Sequence, residues 1–220
     1  MTTNESSIPA NTCVLKDVRA AYPSLVAPSP DLNGNDKYSV VLLIPKDKPI
    51  EHIKSALRAA IEVGKQKKWN GTVPADLHVP LQDGDVYAAK APEKRQHYVG
   101  HYYINAKQDP EWGKPVVVDM YGLESVSPQA IGSGDYVSAV VEFFPYKGQA
   151  GSGLSATPKV VQKMRAGEPI GGGISKESAL AALGIDAASL GQAAAAPAAA
   201  EQSKEAPASA GSGDPLDGLL

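Results

Sequence analysis

Between residues 90 and 165, flat and cationic side chains are interleaved. Tyr98, His101, Tyr103, Trp112, Tyr121, Tyr136, Phe144 and Tyr146 stand among Lys90, Lys94, Arg95, Lys107, Lys114, Lys147, Lys163 and Arg165. Aromatic rings stack on unpaired bases with little regard to base identity, at about 1–3 kcal/mol per base. Each lysine or arginine laid on a phosphate adds affinity by releasing counterions. The combination is chemistry for a single-stranded nucleic acid. The same residue types have other uses: tyrosine-rich barrels bind sugars and proteins, and most aromatics of β proteins pack in cores.

Other chemistries find less support. A phosphate-cradling loop needs Gly-x4-Gly-Lys-Ser/Thr, and neither the glycines of 148–153 nor those of 171–173 are followed by that lysine. His97 and His101 are four apart, a metal spacing on a helix, but they fall in a strand-like run with no Cys or Glu pattern beside them. No nucleophile elbow, His-Glu-x-x-His or Asp-x-Asp loop occurs. Asp83, Asp85, Asp119 and Glu142 could cluster only through the fold. Cys13 is the single cysteine, so no internal disulfide framework or multi-cysteine zinc site is available. The expectation is no catalytic residue, no metal and no cofactor.

The interleaved residues must be positioned by strands. In residues 131–173, Val137, Ala139, Val141 and Phe143 alternate with Tyr136, Ser138, Val140, Glu142, Phe144 and Tyr146. The first set reads as core and the second as a half-exposed face. A glycine-rich turn leads to a second strand with Lys159, Lys163 and Arg165. Residues 98–107 alternate too: Tyr98, Tyr102, Ile104 and Ala106 on one face, Val99, His101, Tyr103, Asn105 and Lys107 on the wetter one. Residues 12–20, 37–44, 86–90 and 115–120 read as further strands, and 22–36, rich in Pro, Ser, Gly and Asn, as a loop. Residues 49–69 read as one long helix, with Ile50, Ile53, Leu57, Ile61 and Gly64 as its apolar stripe and Asp47 as N-cap. Lys65, Lys67 and Lys68 at its end suit the helix dipole, and could also meet phosphates. Six or seven short strands with one helix suggest a small antiparallel barrel or sandwich.

The totals are those of a globular protein: 220 residues, no apolar run long enough to span a bilayer, and no basic-then-apolar leader. A soluble, cytosolic chain without a membrane partner is expected. The net charge of −3 hides an asymmetry. Residues 1–175 hold 19 basic and 18 acidic side chains, and residues 176–220 hold 2 and 6. After Gly173 a short helix at 175–183 gives way to Ala, Pro, Ser, Gly and Glu, which cannot bury a core. The sequence DPLDGLL at 214–220 interleaves Asp214 and Asp217 with Leu216, Leu219 and Leu220. Such a tail could mimic a polyanion in a basic groove, dock its leucines on a partner, or simply solubilise.

Three stretches resemble a known family: AYPSLVAPSPDLNGNDKYSVVLLIPKD (21–47), HYYINAKQDPEWGKPVVVD (101–119) and SGDYVSAVVEFFPYKGQAGSGLSATPKVVQKMRAGEPIGGG (133–173). They are similar to the phage single-stranded-DNA-binding proteins with an OB-fold, distantly akin to the replication proteins of short-tailed phages. KYSVVLLIPK and VQKMRAGEPIGGG carry the likeness most specifically, and it covers nearly all of residues 12–173. The resemblance implies an OB-fold-like antiparallel barrel over residues 1–173, followed by a short helix and a flexible, disordered acidic tail over 174–220. It implies binding and protection of single-stranded DNA with little sequence preference, during phage replication, recombination or repair in the cytoplasm of an infected bacterium. It implies a monomer or homodimer whose tail recruits replication or recombination proteins. The tail departs from the usual pattern in having few acids and two closing leucines, and the helix comes earlier than in the common OB order. The resemblance supplies no residue-level contacts. The alternation argument selects Lys94, Arg95, His101, Tyr103, Lys107, Trp112, Tyr136, Phe144, Tyr146, Lys147, Lys163 and Arg165 for DNA, and the five Asp and Leu residues of 214–220 for a partner. A strand-annealing recombination mediator, a metal-dependent nuclease and a structural virion protein are the alternatives.

Overall fold

In a computed structural model, residues 8–148, 151–171 and Ala182 are described. The chain divides into two compact units, Met1–Ser175 and Lys176–Leu220, and the sheet belongs to the first. The helix expected at 175–183, apart from Ala182, and the tail with Asp214, Leu216, Asp217, Leu219 and Leu220 lie outside the described residues.

The elements are β1 (Thr12–Pro30), β2 (Asp36–Pro45), α1 (Glu51–Lys67), β3 (Leu81–Asp83), α2 (Gly84–Ala88), β4 (His101–Gln108), β5 (Val116–Val118), β6 (Tyr136–Gly148) and β7 (Gly151–Arg165). Single 3-10 turns occupy Gln96–Tyr98 and Pro110–Trp112. The fold is mainly β: one seven-stranded sheet in the order β3-β4-β2-β1-β6-β7-β5, not continuously paired into a closed barrel. Every neighbouring pair is antiparallel except β5 with β7, which is parallel. That corrects the wholly antiparallel expectation. The chain crosses from β4 to the opposite edge before β5, and such a crossover permits either direction.

The strands are longer than expected. β1 continues through the supposed loop to Pro30, and the turn is confined to Asp31–Asn35, where the Asp31 carboxylate accepts from the Asn33 and Asn35 amides at 2.8 and 3.1 Å. Pro23 and Pro28 are tolerated because the ladder with β2 is irregular between Ala21, Ser24 and Ser29. β1 carries one residue more than its partner twice, at Asp17 against β6 and at Tyr22 against β2, and each of these has φ near +50°. Such bulges bend the strand. Its first half therefore pairs with β6 and its second with β2.

The inner face holds Leu15, Val18, Leu42, Ile104, Val141, Phe143, Leu154 and Val161, all essentially inaccessible. α1 packs onto it through Ile53, Ala56, Leu57, Ala60 and Gly64. The helix starts later than expected, at Glu51; Ile50, not Asp47, occupies the N-cap position, without a side-chain cap. Residues 86–90, expected as a strand, belong largely to α2. The Asp83 carboxylate accepts from the Asp85 and Val86 amides and so starts a helix there.

Two features finish the sheet. His78 donates its amide to the Ser152 carbonyl at 3.1 Å and accepts from the Leu154 amide at 2.8 Å, so the segment leading into β3 touches β7. At the far edge, the Val117 carbonyl of β5 accepts from Ser125 at 2.8 Å, and Asp119 donates to Leu123 at 2.9 Å. Among the described residues no helix is long and apolar enough to cross a membrane.

Candidate nucleic-acid interface

A cleft runs between β4 and the far end of the β6–β7 hairpin. Its narrower half is lined by His78, Gln82, Tyr103, Asn105 and Lys107 with Tyr146 and Ser155. Its wider half shares Lys107, Tyr146 and Ser155 and adds Lys37, Lys68, Trp112, Phe144 and Lys147. The wider half encloses about 420 Å³. A liquid water molecule takes about 30 Å³, so the space suits a planar base as well as hydration.

Alternation places most of these groups. In β4, Ile104 and Ala106 point into the core, which turns Tyr103, Asn105 and Lys107 outward. In β6, Phe143 is buried and Phe144 faces the cleft. Trp112 sits in a 3-10 turn pinned by Gln108, whose carboxamide donates to the Trp112 and Gly113 carbonyls at 3.1 and 2.7 Å. Trp112 is 68% exposed. Tyr146 is fixed from below: the indole of Trp69 donates to the Tyr146 carbonyl at 3.1 Å. Trp69 in turn lies flat against Gly64 of α1, where a Cβ would come within 2.4 Å of the ring. The end of α1 thus clamps the hairpin arm and brings Lys68 to the cleft.

Charge in the cleft is one-sided. Lys37 is paired with Asp109, the single acidic residue of the lining. Lys68, Lys107 and Lys147 form no ion pair among the described residues. Four rings and three uncompensated ammonium groups around one open channel can stack bases and hold phosphates at once.

Of the residues selected from sequence, the structure brings together Tyr103, Lys107, Trp112, Phe144, Tyr146 and Lys147. It places the others elsewhere. Tyr136 is at the opposite end of β6, with the Arg165 guanidinium 3.2 Å from its ring centre and that of Arg19 at 5.7 Å. Arg165 is paired with Asp17 at 3.0 Å, and Lys163 with the nearly buried Asp135 at 2.6 Å. Arg95 lies 3.9 Å over the Tyr87 ring, and Lys94 beside it is exposed. The His101 ring contacts the Val99 carbonyl through Nδ1 at 2.8 Å and does not line the cleft. Sequence reasoning leaves out Lys37, Asn105 and Gln82. Lys37 and Asn105 are readable: Lys37, Ser39 and Val41 share a face of β2, and Asn105 shares one with Tyr103. Lys68 stands out in the sequence only as one of a helix-end cluster.

No curated protein sequence matches the chain significantly. Solved structures do. The single-stranded DNA-binding protein from bacteriophage Enc34 superposes with a TM-score of 0.60 at 26% identity, over 79% of this chain and 94% of that one. The same phage protein in complex with single-stranded DNA gives 0.60 at 27% identity, over 76% and 96%. The single-stranded DNA-binding protein encoded by bacteriophage T7 gives 0.50 at 19% identity, over 74% and 90%, a likeness of fold alone. Each of these neighbours is described as a single-stranded DNA-binding protein. The family model described as Enterobacter phage Enc34, ssDNA-binding protein, matches residues 11–189, and the chain belongs to that family of phage single-stranded-DNA-binding proteins.

Proposed function

We propose that this chain binds single-stranded DNA in the cleft, with little sequence preference, and so protects it during phage replication, recombination or repair. The observation that carries the reading is the convergence of Tyr103, Trp112, Phe144 and Tyr146 with the unpaired charges of Lys68, Lys107 and Lys147. The rings need exposed base faces, which a duplex keeps stacked. The lysines need phosphates, which any sequence supplies. The partner named for the Enc34 protein is the same polymer. The backbone contact of His78 with β7, next to the β3–β4 pairing, supports treating the sheet as an OB-like barrel whose seam is this cleft.

The functional module is residues 1–173, as a monomer or homodimer in the infected host's cytoplasm. The acidic segment after it, with Asp214, Leu216, Asp217, Leu219 and Leu220, recruits a replication or recombination protein by seating leucines in an apolar pocket and aspartates on its basic rim. The test is titration of fluorescent oligo-dT and of a duplex of equal length, at low and high salt. Tighter binding of the single strand, weakening with salt, is expected. Equal affinity for the duplex, or no binding, would refute the reading.

A further inference from the structure

A second group of rings runs from the cleft across the outer face of the sheet. The ring of Tyr103, in the narrower half of the cleft, is 5.1 Å from that of Tyr87 and 5.0 Å from that of Tyr98. Tyr98 is 4.5 Å from His97, and His97 is 5.6 Å from Tyr22. The Tyr22 hydroxyl and His97 Nε2 are 3.2 Å apart. Beneath Tyr87, Tyr98 and Tyr103 lie Ala21, Leu43, Ala88 and Ile170.

Most of this group is explained by packing, since Tyr98 is buried. Tyr22 is not. It is 47% exposed and has φ +51°, a left-handed conformation that bulky residues rarely adopt. Strict alternation would place it on the inner face with Ala20. The extra residue of β1 between Ala21 and Ser24 turns it outward instead, onto His97. The fold thus holds a strained backbone whose visible result is an exposed ring, and strain of this kind gathers at binding sites.

The nearby cations keep their charge. Arg19 donates to the Glu168 carbonyl at 2.6 Å and the Gly134 carbonyl at 3.3 Å. Arg95 donates to the Tyr87 carbonyl at 3.1 Å. Neither pairs with a carboxylate among the described residues, whereas Lys46, Lys163 and Arg165 all do. Carbonyls position a guanidinium without neutralising it. Burial first, then the charges of Arg19 and His101, hold His97 below its ordinary value. A neutral imidazole is therefore the form that backs Tyr22 at pH 7.

We propose that Tyr22, backed by His97 and accompanied by Arg19 and Arg95, is a second single-strand-binding site that takes the nucleotides running on from the cleft past Tyr103. This rests on the reading that the cleft itself binds single-stranded DNA. β2 separates β1 from β4, so the extension spans about 10 Å at ordinary strand spacing and lengthens the path by a few nucleotides.

The test uses oligo-dT of graded length, about 4 to 16 nucleotides, the range of OB-fold site sizes. Wild type, Tyr22→Ala, Tyr22→Phe and Trp112→Ala are titrated at one salt concentration. Tyr22→Ala is expected to match wild type on the shortest oligomer, which also shows that it folds, and to lose roughly 5- to 150-fold on the longest. Tyr22→Phe keeps the ring and stays near wild type. Trp112→Ala is weaker at every length. If Tyr22→Ala matches wild type at all lengths while Trp112→Ala is weakened, the second site is overturned and the cleft stands. A uniform loss in Tyr22→Ala also overturns the second site, because it signals general disturbance. Full affinity in Trp112→Ala overturns the cleft reading itself.

Discussion

Replacing Trp112 separates binding from folding. The residue is 68% exposed, and among the described residues its indole donates only to the adjacent Glu111 carboxylate, at 3.1 Å. Trp112→Ala should change unfolding free energy by no more than about 0.5 kcal/mol. One stacked base is worth about 1–3 kcal/mol, so affinity for oligo-dT should fall roughly 5- to 150-fold. The protein supplies its own probe. It has two tryptophans, and the other, Trp69, is 5% exposed and packed on Gly64. Quenching of intrinsic fluorescence by single-stranded DNA should therefore come from Trp112. Trp112→Phe should keep most of the affinity and lose most of the quench. Affinity of Trp112→Ala within twofold of wild type, or an undiminished quench in Trp112→Phe, would refute the placement of bases against this ring.

Lys107→Ala should lower the slope of log affinity against log salt by about 0.7, the value for one phosphate contact on a single strand. Lys163→Ala should leave that slope unchanged, because Lys163 is committed to Asp135 at 2.6 Å; salt titrations of both variants decide this. Gly64→Ala should destabilise the protein by about 1–3 kcal/mol in urea unfolding, since the new methyl meets the Trp69 ring. It should also weaken DNA binding by loosening the bond from Trp69 to Tyr146; unchanged stability and Trp69 emission would count against the clamp. Hydrogen bonds from Lys46 hold the Asp83 and Asp85 carboxyls below their ordinary values. Depressed carboxyls stabilise above the unfolded value of about 3.9. The raised value of Lys46 matters only in strong alkali. The urea midpoints of wild type and Lys46→Met should thus differ at pH 7, and the gap should narrow as the pH falls below about 3.9; a gap that does not narrow in acid would contradict the ion-pair account.

Period-two alternation makes half of the cleft legible, because it depends only on neighbours in sequence. It sets Phe144 apart from Phe143, and Tyr103 and Lys107 apart from Ile104 and Ala106. It cannot measure distance along a strand. Tyr136 and Phe144 share a face of β6, yet eight residues at about 3.3 Å each separate them by roughly 26 Å. Nor can it show which cations are already taken: Asp17 and Asp135, which neutralise Arg165 and Lys163, lie in other parts of the chain or across a turn. The extension of β1 through Pro23 and Pro28 is hidden because proline-rich composition signals a loop wherever a regular ladder is assumed. The cleft itself is a meeting of β4 with the end of the β6–β7 hairpin, and no local pattern encodes that meeting.

Proteins that coat a polymer are held side by side far more densely than they would be in free solution. Under that crowding an open strand edge invites its neighbour to add on, and coating turns into aggregation. Here β5 lies parallel along β7 and then folds its own chain back, so that Ser125 and Leu123 occupy hydrogen-bonding groups of Val117 and Asp119. The sheet is hemmed at that border by a turn of its own making. A second chain brought against that border would meet side chains there and find no free strand edge to extend.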